Sequence, residues 1–151
     1  MSSPDTSPGW QALRNSTEIE ELISLCGHFH DACVREIHIA TGHYVDESLS
    51  MTVDRKTTIH RLIQTQSQRL PAIELRFEEV VGMRFSAPQP DCDAVILEAA
   101  FFVQDGVLYW ADSGLWTPES AGENIWVAAR SVSWRDATNW LGPDLRYRSP
   151  H

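Results

Sequence analysis

The sequence has little of what metal, redox and disulfide chemistry require. Its 151 residues include only three cysteines, which are Cys26, Cys33 and Cys92. Because none forms a C-x-x-C pair, the usual spacings of structural zinc and thioredoxin-type sites are missing. A small secreted scaffold would carry more cysteines, in an even number. We therefore interpret these cysteines as reduced thiols of a cytoplasmic protein, with Cys26 packed in the core.

Positive charge is also scarce. The chain has 12 Lys and Arg against 21 Asp and Glu, and a formal net charge of −9. Nucleic acids and anionic membranes select concentrated cationic surfaces, so the composition argues against both as partners. No run approaches the ~18 apolar residues of a membrane-spanning helix, and the N-terminal residues do not predict a secretory signal. Lys56 is the only lysine, and this preference for arginine indicates a bacterial origin.

Catalytic motifs are missing as well. Ser86 and Ser113 lack the G-x-S-x-G elbow of an activated serine. The glycines are isolated and form no phosphate-binding loop. No H-E-x-x-H pattern indicates a metal. We therefore predict no catalytic residue, no metal and no cofactor, and the sequence favours a non-enzymatic protein.

The clearest element is one N-terminal helix. Apolar residues recur at positions 19, 22, 23 and 26, which form one helical face. Asn15 and Thr17 each precede a glutamate by three positions, and they are alternative N-caps. Gly27 follows the last apolar residue, where a left-handed C-cap favours glycine. The pattern predicts a helix over about 17–26.

After Gly27 the apolar period changes to two, which is typical of strands. Alternation predicts strands over 34–41, 49–54, 73–77 and 81–85, and further strands are expected over 107–111 and 125–134. A bulge or a turn is expected near 78–82, and a long loop or a short strand extension over 60–70. The run 95–103 is apolar on both faces and predicts a central strand covered on both sides. Asp105-Gly106 is a two-residue hairpin signal.

These elements predict an α+β domain. One N-terminal helix is expected to pack on a curved, mainly antiparallel sheet of six to seven strands. The sheet is expected to be antiparallel because no crossover helix separates two strands. We assign 1–15 to a loose N-terminal arm, 16–137 to the single α+β domain and 138–151 to a C-terminal tail.

The densest polar cluster follows the helix. It contains His28, His30 and Asp31, and His38 comes further along the chain. In a continuous strand the three histidines would share one face, from which imidazole and carboxylate groups can bind a ligand or a transition metal. The alternative is structural, since polar side chains after a helix C-cap commonly satisfy free backbone groups.

Tryptophan is frequent, with six residues in the chain. Trp110, Trp126 and Trp134 fall in predicted strands and are expected in the core or on a sheet face. Trp116 falls in a predicted loop over 112–124, where an exposed ring would serve as a contact anchor. The alternative is that this loop folds back and packs the ring on the sheet.

The segment 29–34, Phe-His-Asp-Ala-Cys-Val, resembles a turn motif of small uncharacterised bacterial proteins. In these proteins a short helix precedes the turn and a β meander follows it. The later segments 75–80 and 127–134 are similar to the same pattern, and some families of this layout are toxin-immunity-like. The resemblance covers most of 17–135. It implies a cytoplasmic α+β domain with a protein-binding role, and it implies no catalytic residue.

Composition and resemblance together favour a non-enzymatic protein-interaction domain of the immunity type. Its acidic surface would match the field of a basic protein partner such as a nuclease. The alternative is a small-molecule- or metal-binding β-rich domain with its site near His28, His30, Asp31 and His38. A further expectation is a homodimer that pairs through an uncovered edge strand.

Overall fold

The computed structural model describes five stretches of the chain, which are residues 9–54, 56–87, 95–96, 98–120 and 124–141. Their regular elements, in chain order, are β1 (Gln11–Leu13), α1 (Ser16–Leu25), β2 (Ala32–Thr41), β3 (Tyr44–Val45), β4 (Met51–Thr52), β5 (Thr57–Gln64), β6 (Ala72–Arg84), β7 (Val95–Ile96), β8 (Ala100–Gln104), β9 (Val107–Ala111) and β10 (Trp126–Asp136). Short 3-10 turns cover Gly27–Phe29 and Thr138–Leu141. The described part is an α+β fold, as the sequence predicts, and none of its helices is both long and apolar enough to cross a membrane.

Eight of the described strands form one sheet, in which seven follow the order β7-β2-β5-β6-β10-β9-β8 and β1 joins at β10. All ladders between these strands are antiparallel, which confirms the predicted strand direction. The first strand, β1, pairs with the C-terminal half of β10, beyond the part that pairs with β9. Within the described residues no pairing joins β7 to β8, so the sheet is open.

The helix α1 begins after Asn15, which is its N-cap. The Asn15 Oδ1 atom accepts a hydrogen bond of 2.9 Å from Glu18 N, so this residue and not Thr17 caps the helix. Gly27 lies just past the last turn with φ +63°, the left-handed conformation that glycine adopts without strain. The helix bounds therefore agree with the prediction to within one residue.

One hydrophobic cluster contains buried side chains of α1 and of the sheet. Its members from α1 and the following turn are Ile19, Leu22, Cys26 and Phe29. Its members from the strands include Ile59, Ile63, Ile73, Leu75, Phe77, Leu108, Trp110, Val127 and Val132. We call the sheet face that carries these side chains the core face. Because side chains alternate along a strand, the residues between them lie on the opposite, outer face.

Two strand predictions were wrong. The run 95–103 forms no central strand, because β7 and β8 lie at opposite edges of the sheet. Residues 57–64 form the interior strand β5, whereas the sequence predicted a long loop or a short strand extension over 60–70. The charged Arg61 lies between Ile59 and Ile63 on the buried side of β5, and it interrupts the alternation that would have identified this strand.

Several local predictions are confirmed. The β6–β10 register shifts between Ala128 and Ala129, opposite residues 80–82, where a bulge was expected. Asp105 and Gly106 both have positive φ and join β8 to β9, as a two-residue hairpin requires. The strand predicted over 49–54 is shorter than expected, because only the two residues of β4 are paired, and their partner is β3.

The predicted arm and tail are described in part. Leu13 is buried and Gln11–Leu13 pairs with β10, so this end of the arm belongs to the sheet. Residues 1–8 and 142–151 lie outside the described residues, and so does Cys92.

Candidate functional site

The outer face of four neighbouring strands carries two rows of largely polar side chains. One row crosses β2, β5, β6 and β10 and consists of Glu36, Leu62, Glu74 and Arg135. The next row consists of His38, His60, Arg76 and Ser133. Residues that are directly opposite in antiparallel strands share a face, so both rows project from the same surface.

Glu74 is the centre of an ion-pair network on this surface. His60 Nδ1 lies 2.8 Å from Glu74 Oε1, and Arg135 donates to Oε2 from Nε at 2.9 Å and from Nη2 at 2.7 Å. Burial raises the pKa of Glu74, but hydrogen bonds from His60 and Arg135 outweigh this and hold the pKa below its usual 4.5. An ionised carboxylate only accepts hydrogen bonds, so His60 donates from Nδ1.

Trp10 covers part of this network. The guanidinium carbons of Arg76 and Arg135 lie 4.3 and 4.5 Å from the centre of the Trp10 ring. The His60 ring meets the Trp10 ring edge-on, with 5.9 Å between centroids. Cation–π contacts at partly exposed sites contribute about 0.5–1 kcal/mol each. These contacts hold the residue before β1 against the outer face.

A cleft of about 390 Å³ opens beside the network. Its lining includes Glu36, His38, His60, Glu74, Arg135 and Trp140. It therefore offers carboxylate, imidazole, guanidinium and aromatic groups together. In the part of the chain that is described, no group of three or more His, Cys, Asp or Glu side chains is placed to hold a metal ion.

The structure divides the predicted polar cluster between two places. His28 and His30 lie in the turn before β2, so the shared strand face expected for the histidines does not form. His30 Nδ1 lies 3.0 Å from Asp31 Oδ2. His38 lies seven positions after Asp31 along β2, a rise of about 23 Å in a regular strand. It is opposite His60 instead, and it lines the cleft.

The turn that carries this cluster has an unusual backbone. His28, Phe29 and Asp31 have φ between 55° and 60°, a conformation that favours glycine. The Phe29 side chain is buried in the core and holds the turn in place. His28 and His30 are exposed on its surface, and a binding role for them stays a prediction.

Trp116 lies in the loop between β9 and β10 and is only 7% exposed. Its ring centroid lies 5.6 Å from that of Trp126, 5.9 Å from that of Tyr109 and 6.3 Å from that of Phe102. The loop therefore folds back on the outer face of β8, β9 and β10. A role for Trp116 as a contact anchor stays a prediction, and it would require the ring to leave this aromatic cluster.

The segment between β2 and β5 exposes apolar side chains that the sequence pattern assigned in part to a half-buried strand. We call residues 42–54, which contain β3 and β4, the apolar hairpin. Its exposed apolar residues are Tyr44, Val45, Leu49, Met51 and Val53, with exposed fractions from 54% to 85%. Among the described strands, β3 and β4 pair only with each other.

Asp46 organises the tip of the apolar hairpin. Its Oδ1 atom accepts hydrogen bonds from Ser48 N at 2.9 Å, Ser48 Oγ at 2.7 Å and Ser50 N at 2.9 Å. The hydrogen bonds from Ser48 and Ser50 lower the pKa of Asp46 below its usual 3.8. Leu49 has φ +65°, which is strained for a branched side chain, and it is the most exposed of the five apolar residues. The Asp46 carboxylate thus stabilises a tip that points a leucine into solvent.

The base of the apolar hairpin is fixed as well. Gly42 N donates to Lys56 O at 2.8 Å, and Asp54 N donates to His43 Nδ1 at 3.1 Å. A Cβ atom at Gly42 would lie 2.6 Å from Asp54 Cγ, so only glycine permits this approach. These hydrogen bonds join the two ends of the hairpin to each other.

A buried cation in the core was also missed by sequence reasoning. Arg61 is 0% exposed, and its Nε, Nη1 and Nη2 atoms have no hydrogen-bond partner in the described part of the chain. Its guanidinium carbon lies 4.1 Å from the centre of the Trp110 ring, whose Nε1 atom is also without a partner there. Burial lowers the pKa of Arg61 to about 10, and the charge of Asp112 opposes this shift. Arg61 is therefore still charged at neutral pH.

The described residues thus offer three candidate places for function, which are the outer-face cleft, the apolar hairpin and the buried Arg61. No protein-family model, curated protein or solved structure matches the chain. The choice among the three places depends on their geometry, charge and exposure.

Proposed function

We propose that the chain is a non-enzymatic protein-interaction domain whose contact surface is the apolar hairpin. The observation that carries this proposal is the group of five apolar side chains, each more than half exposed on one hairpin. Val45 and Met51 lie directly opposite each other and share one face of the hairpin. Exposed apolar groups that lie together on a protein surface are typical of interaction sites, because their burial by a partner removes apolar area from water.

The order of the hairpin supports the same role. The three hydrogen bonds to Asp46 and the contacts at Gly42 fix the backbone before any partner binds. Binding then costs less conformational entropy, since the contact residues are already in place. The strained φ of Leu49 is consistent with a residue held outward for contact rather than for packing.

The proposed partner is a basic protein. Asp46 and Glu47 are exposed at the tip, Glu36 is exposed on β2, and the net charge of the chain is −9. An apolar surface with an acidic rim matches a partner that has an apolar patch and a basic rim, and the complementary fields speed association. This is the relationship that the immunity-type hypothesis requires. The free thiols of Cys26 and Cys33 support the cytoplasmic location that we propose with it.

The test compares three forms of the protein as bait in a native extract at low ionic strength. They are the wild type, the double variant Leu49→Asp/Met51→Asp, and the control Leu115→Asp. Leu115 is 92% exposed but lies far along the chain from the apolar hairpin, in the β9–β10 loop. We expect a basic protein to bind the wild type and the control, to be released by salt, and not to bind the double variant.

Reconstitution from the two purified proteins then decides the outcome. The double variant should raise the Kd at least about tenfold, as expected when central apolar contacts are lost, and Leu115→Asp should leave the Kd unchanged. Equal binding by all three forms would contradict the proposal. Analytical ultracentrifugation of the wild type and the double variant is the second experiment. A dimeric wild type and a monomeric double variant would assign the hairpin to self-association instead.

A further inference from the structure

Four donor atoms that are buried in the core have no acceptor among the described residues. Arg61 contributes Nε, Nη1 and Nη2, and Trp110 contributes Nε1. Guanidinium and indole groups have no acceptor of their own, so they cannot satisfy each other. Leaving one buried donor unsatisfied costs about 1–3 kcal/mol, and an isolated buried charge costs more. A cluster that consists only of donors therefore calls for an occupant that is rich in acceptors.

Asp112 does not supply the missing acceptor. Its charge acts on Arg61, but the Arg61 nitrogens have no hydrogen bond to any described residue. Asp112 Oδ1 accepts a hydrogen bond of 3.2 Å from Ile125 N, and its side chain is also hydrogen-bonded to Asn124. Its carboxylate is therefore engaged with the residues that precede β10.

We infer that Arg61 and Trp110 form a binding site for a small oxyanion, and that a carboxylate is the group that fits it. A planar guanidinium presents parallel N–H groups that match the two oxygens of a carboxylate. The indole N–H of Trp110 offers a further donor beside them.

Some apolar side chains on the core face near Arg61 are exposed to solvent. Ile37 is the direct partner of Arg61 on the edge-side strand β2, so its side chain lies on the core face, yet it is exposed. Ile39 follows on the same face and is also exposed. The apolar layer is therefore incomplete on the strand next to Arg61, and we place the entry of a small ligand past Ile37.

This site is separate from the apolar hairpin and does not depend on the proposed function. Its test uses the whole purified chain, titrated with sodium acetate against sodium chloride at matched ionic strength. The readout is the indole N–H resonance of Trp110 in a nitrogen–proton correlation spectrum, assigned with the Trp110→Phe variant. We expect acetate to shift this resonance saturably and to raise the Tm. An unchanged resonance, or an equal response to chloride, would overturn the inference.

A pair of arginine variants adds a second readout. Arg61→Met removes the buried guanidinium, and Arg69→Met removes an exposed one as the matched control. The rise of the Tm with acetate should be lost in Arg61→Met and kept in Arg69→Met. Retention of the full acetate response in Arg61→Met would refute the site. If Arg61→Met does not fold, the Trp110 titration of the wild type decides on its own.

Discussion

His60 Nδ1 and Glu74 Oε1 lie 2.8 Å apart on neighbouring strands of the outer face. Arg135 binds the second oxygen of the same carboxylate, so one side chain of β6 is joined to both adjacent strands, β5 and β10. These residues are separated by 14 and 61 positions along the chain. The network therefore exists only in the folded protein, and its loss should affect stability in a way that depends on pH.

Glu74→Gln should lower the free energy of unfolding by about 1–2 kcal/mol at pH 7, because charge-assisted hydrogen bonds become neutral ones at a partly exposed site. The folded-state pKa of Glu74 lies below 4.5. Its stabilising contribution is thus complete above about pH 4.5 and is lost as the pH falls through the lower, folded-state pKa. Urea denaturation over a pH series should show the wild-type advantage shrinking in acid.

The control for this prediction is Glu78→Gln on the same strand. Glu78 pairs with Arg76 at 2.8 Å but is more exposed than Glu74. Its replacement should cost less than about 0.5 kcal/mol, since exposed ion pairs contribute little. A difference between wild type and Glu74→Gln that stays constant from neutral to acid pH would contradict the role given to Glu74.

Arg61→Met should leave the protein at least as stable as the wild type in a buffer without oxyanions. The substitution removes buried donors that have no acceptor among the described residues and keeps an unbranched apolar chain against Trp110, and each unsatisfied buried donor costs about 1–3 kcal/mol. Arg61→Ala should instead lose about 2–4 kcal/mol through the cavity it leaves. Thermal unfolding of both variants provides the measurement. A strong loss of stability in Arg61→Met would contradict this prediction.

Trp116→Ala should lower the free energy of unfolding by about 3–5 kcal/mol, because a nearly buried ring is removed from its contacts with Trp126, Tyr109 and Phe102. Leu115→Ala, at the adjacent and highly exposed position, should stay within about 0.5 kcal/mol of the wild type. Chemical denaturation of the two variants measures the free energy of unfolding and compares the loss of a packed ring with the loss of an exposed side chain. Equal, small effects at both positions would mean that the loop does not pack on the sheet.

Asn15→Ala should cost about 1 kcal/mol, because Glu18 N loses its capping acceptor. Thr17→Ala should change stability little, since Thr17 lies inside the first turn of α1 and is exposed. Far-ultraviolet circular dichroism during thermal unfolding measures both. A larger effect at Thr17 would reverse the choice of cap that the structure makes between the two sequence candidates.

The candidate sites show which signals were present in the sequence. His38 was singled out because it belongs to a histidine-rich segment, and it does line the cleft. Its neighbours there, His60, Glu74 and Arg135, come from three other strands and carry no local motif. Their proximity depends on the register of β2, β5, β6 and β10, which no spacing within one segment can indicate.

Features that depend on interactions between neighbouring residues could be predicted from the sequence. The helix α1, its glycine C-cap, the Asp105-Gly106 hairpin and the bulge in β6 each depend on neighbouring residues, and each is found where the pattern placed it. Alternation also separated the two faces of most strands. It indicates which side chains share a face, because that follows from the backbone period of two.

In contrast, the burial of each strand face depends on contacts in the folded protein and could not be predicted from the sequence. The apolar run 95–103 lies at the sheet edges, the apolar residues of the hairpin remain in solvent, and Arg61 is enclosed by the core. Burial depends on which strands become neighbours and on what packs above them, and these are contacts between residues far apart in sequence. Apolar side chains in a segment favour burial, but the arrangement of the other strands determines whether they are buried.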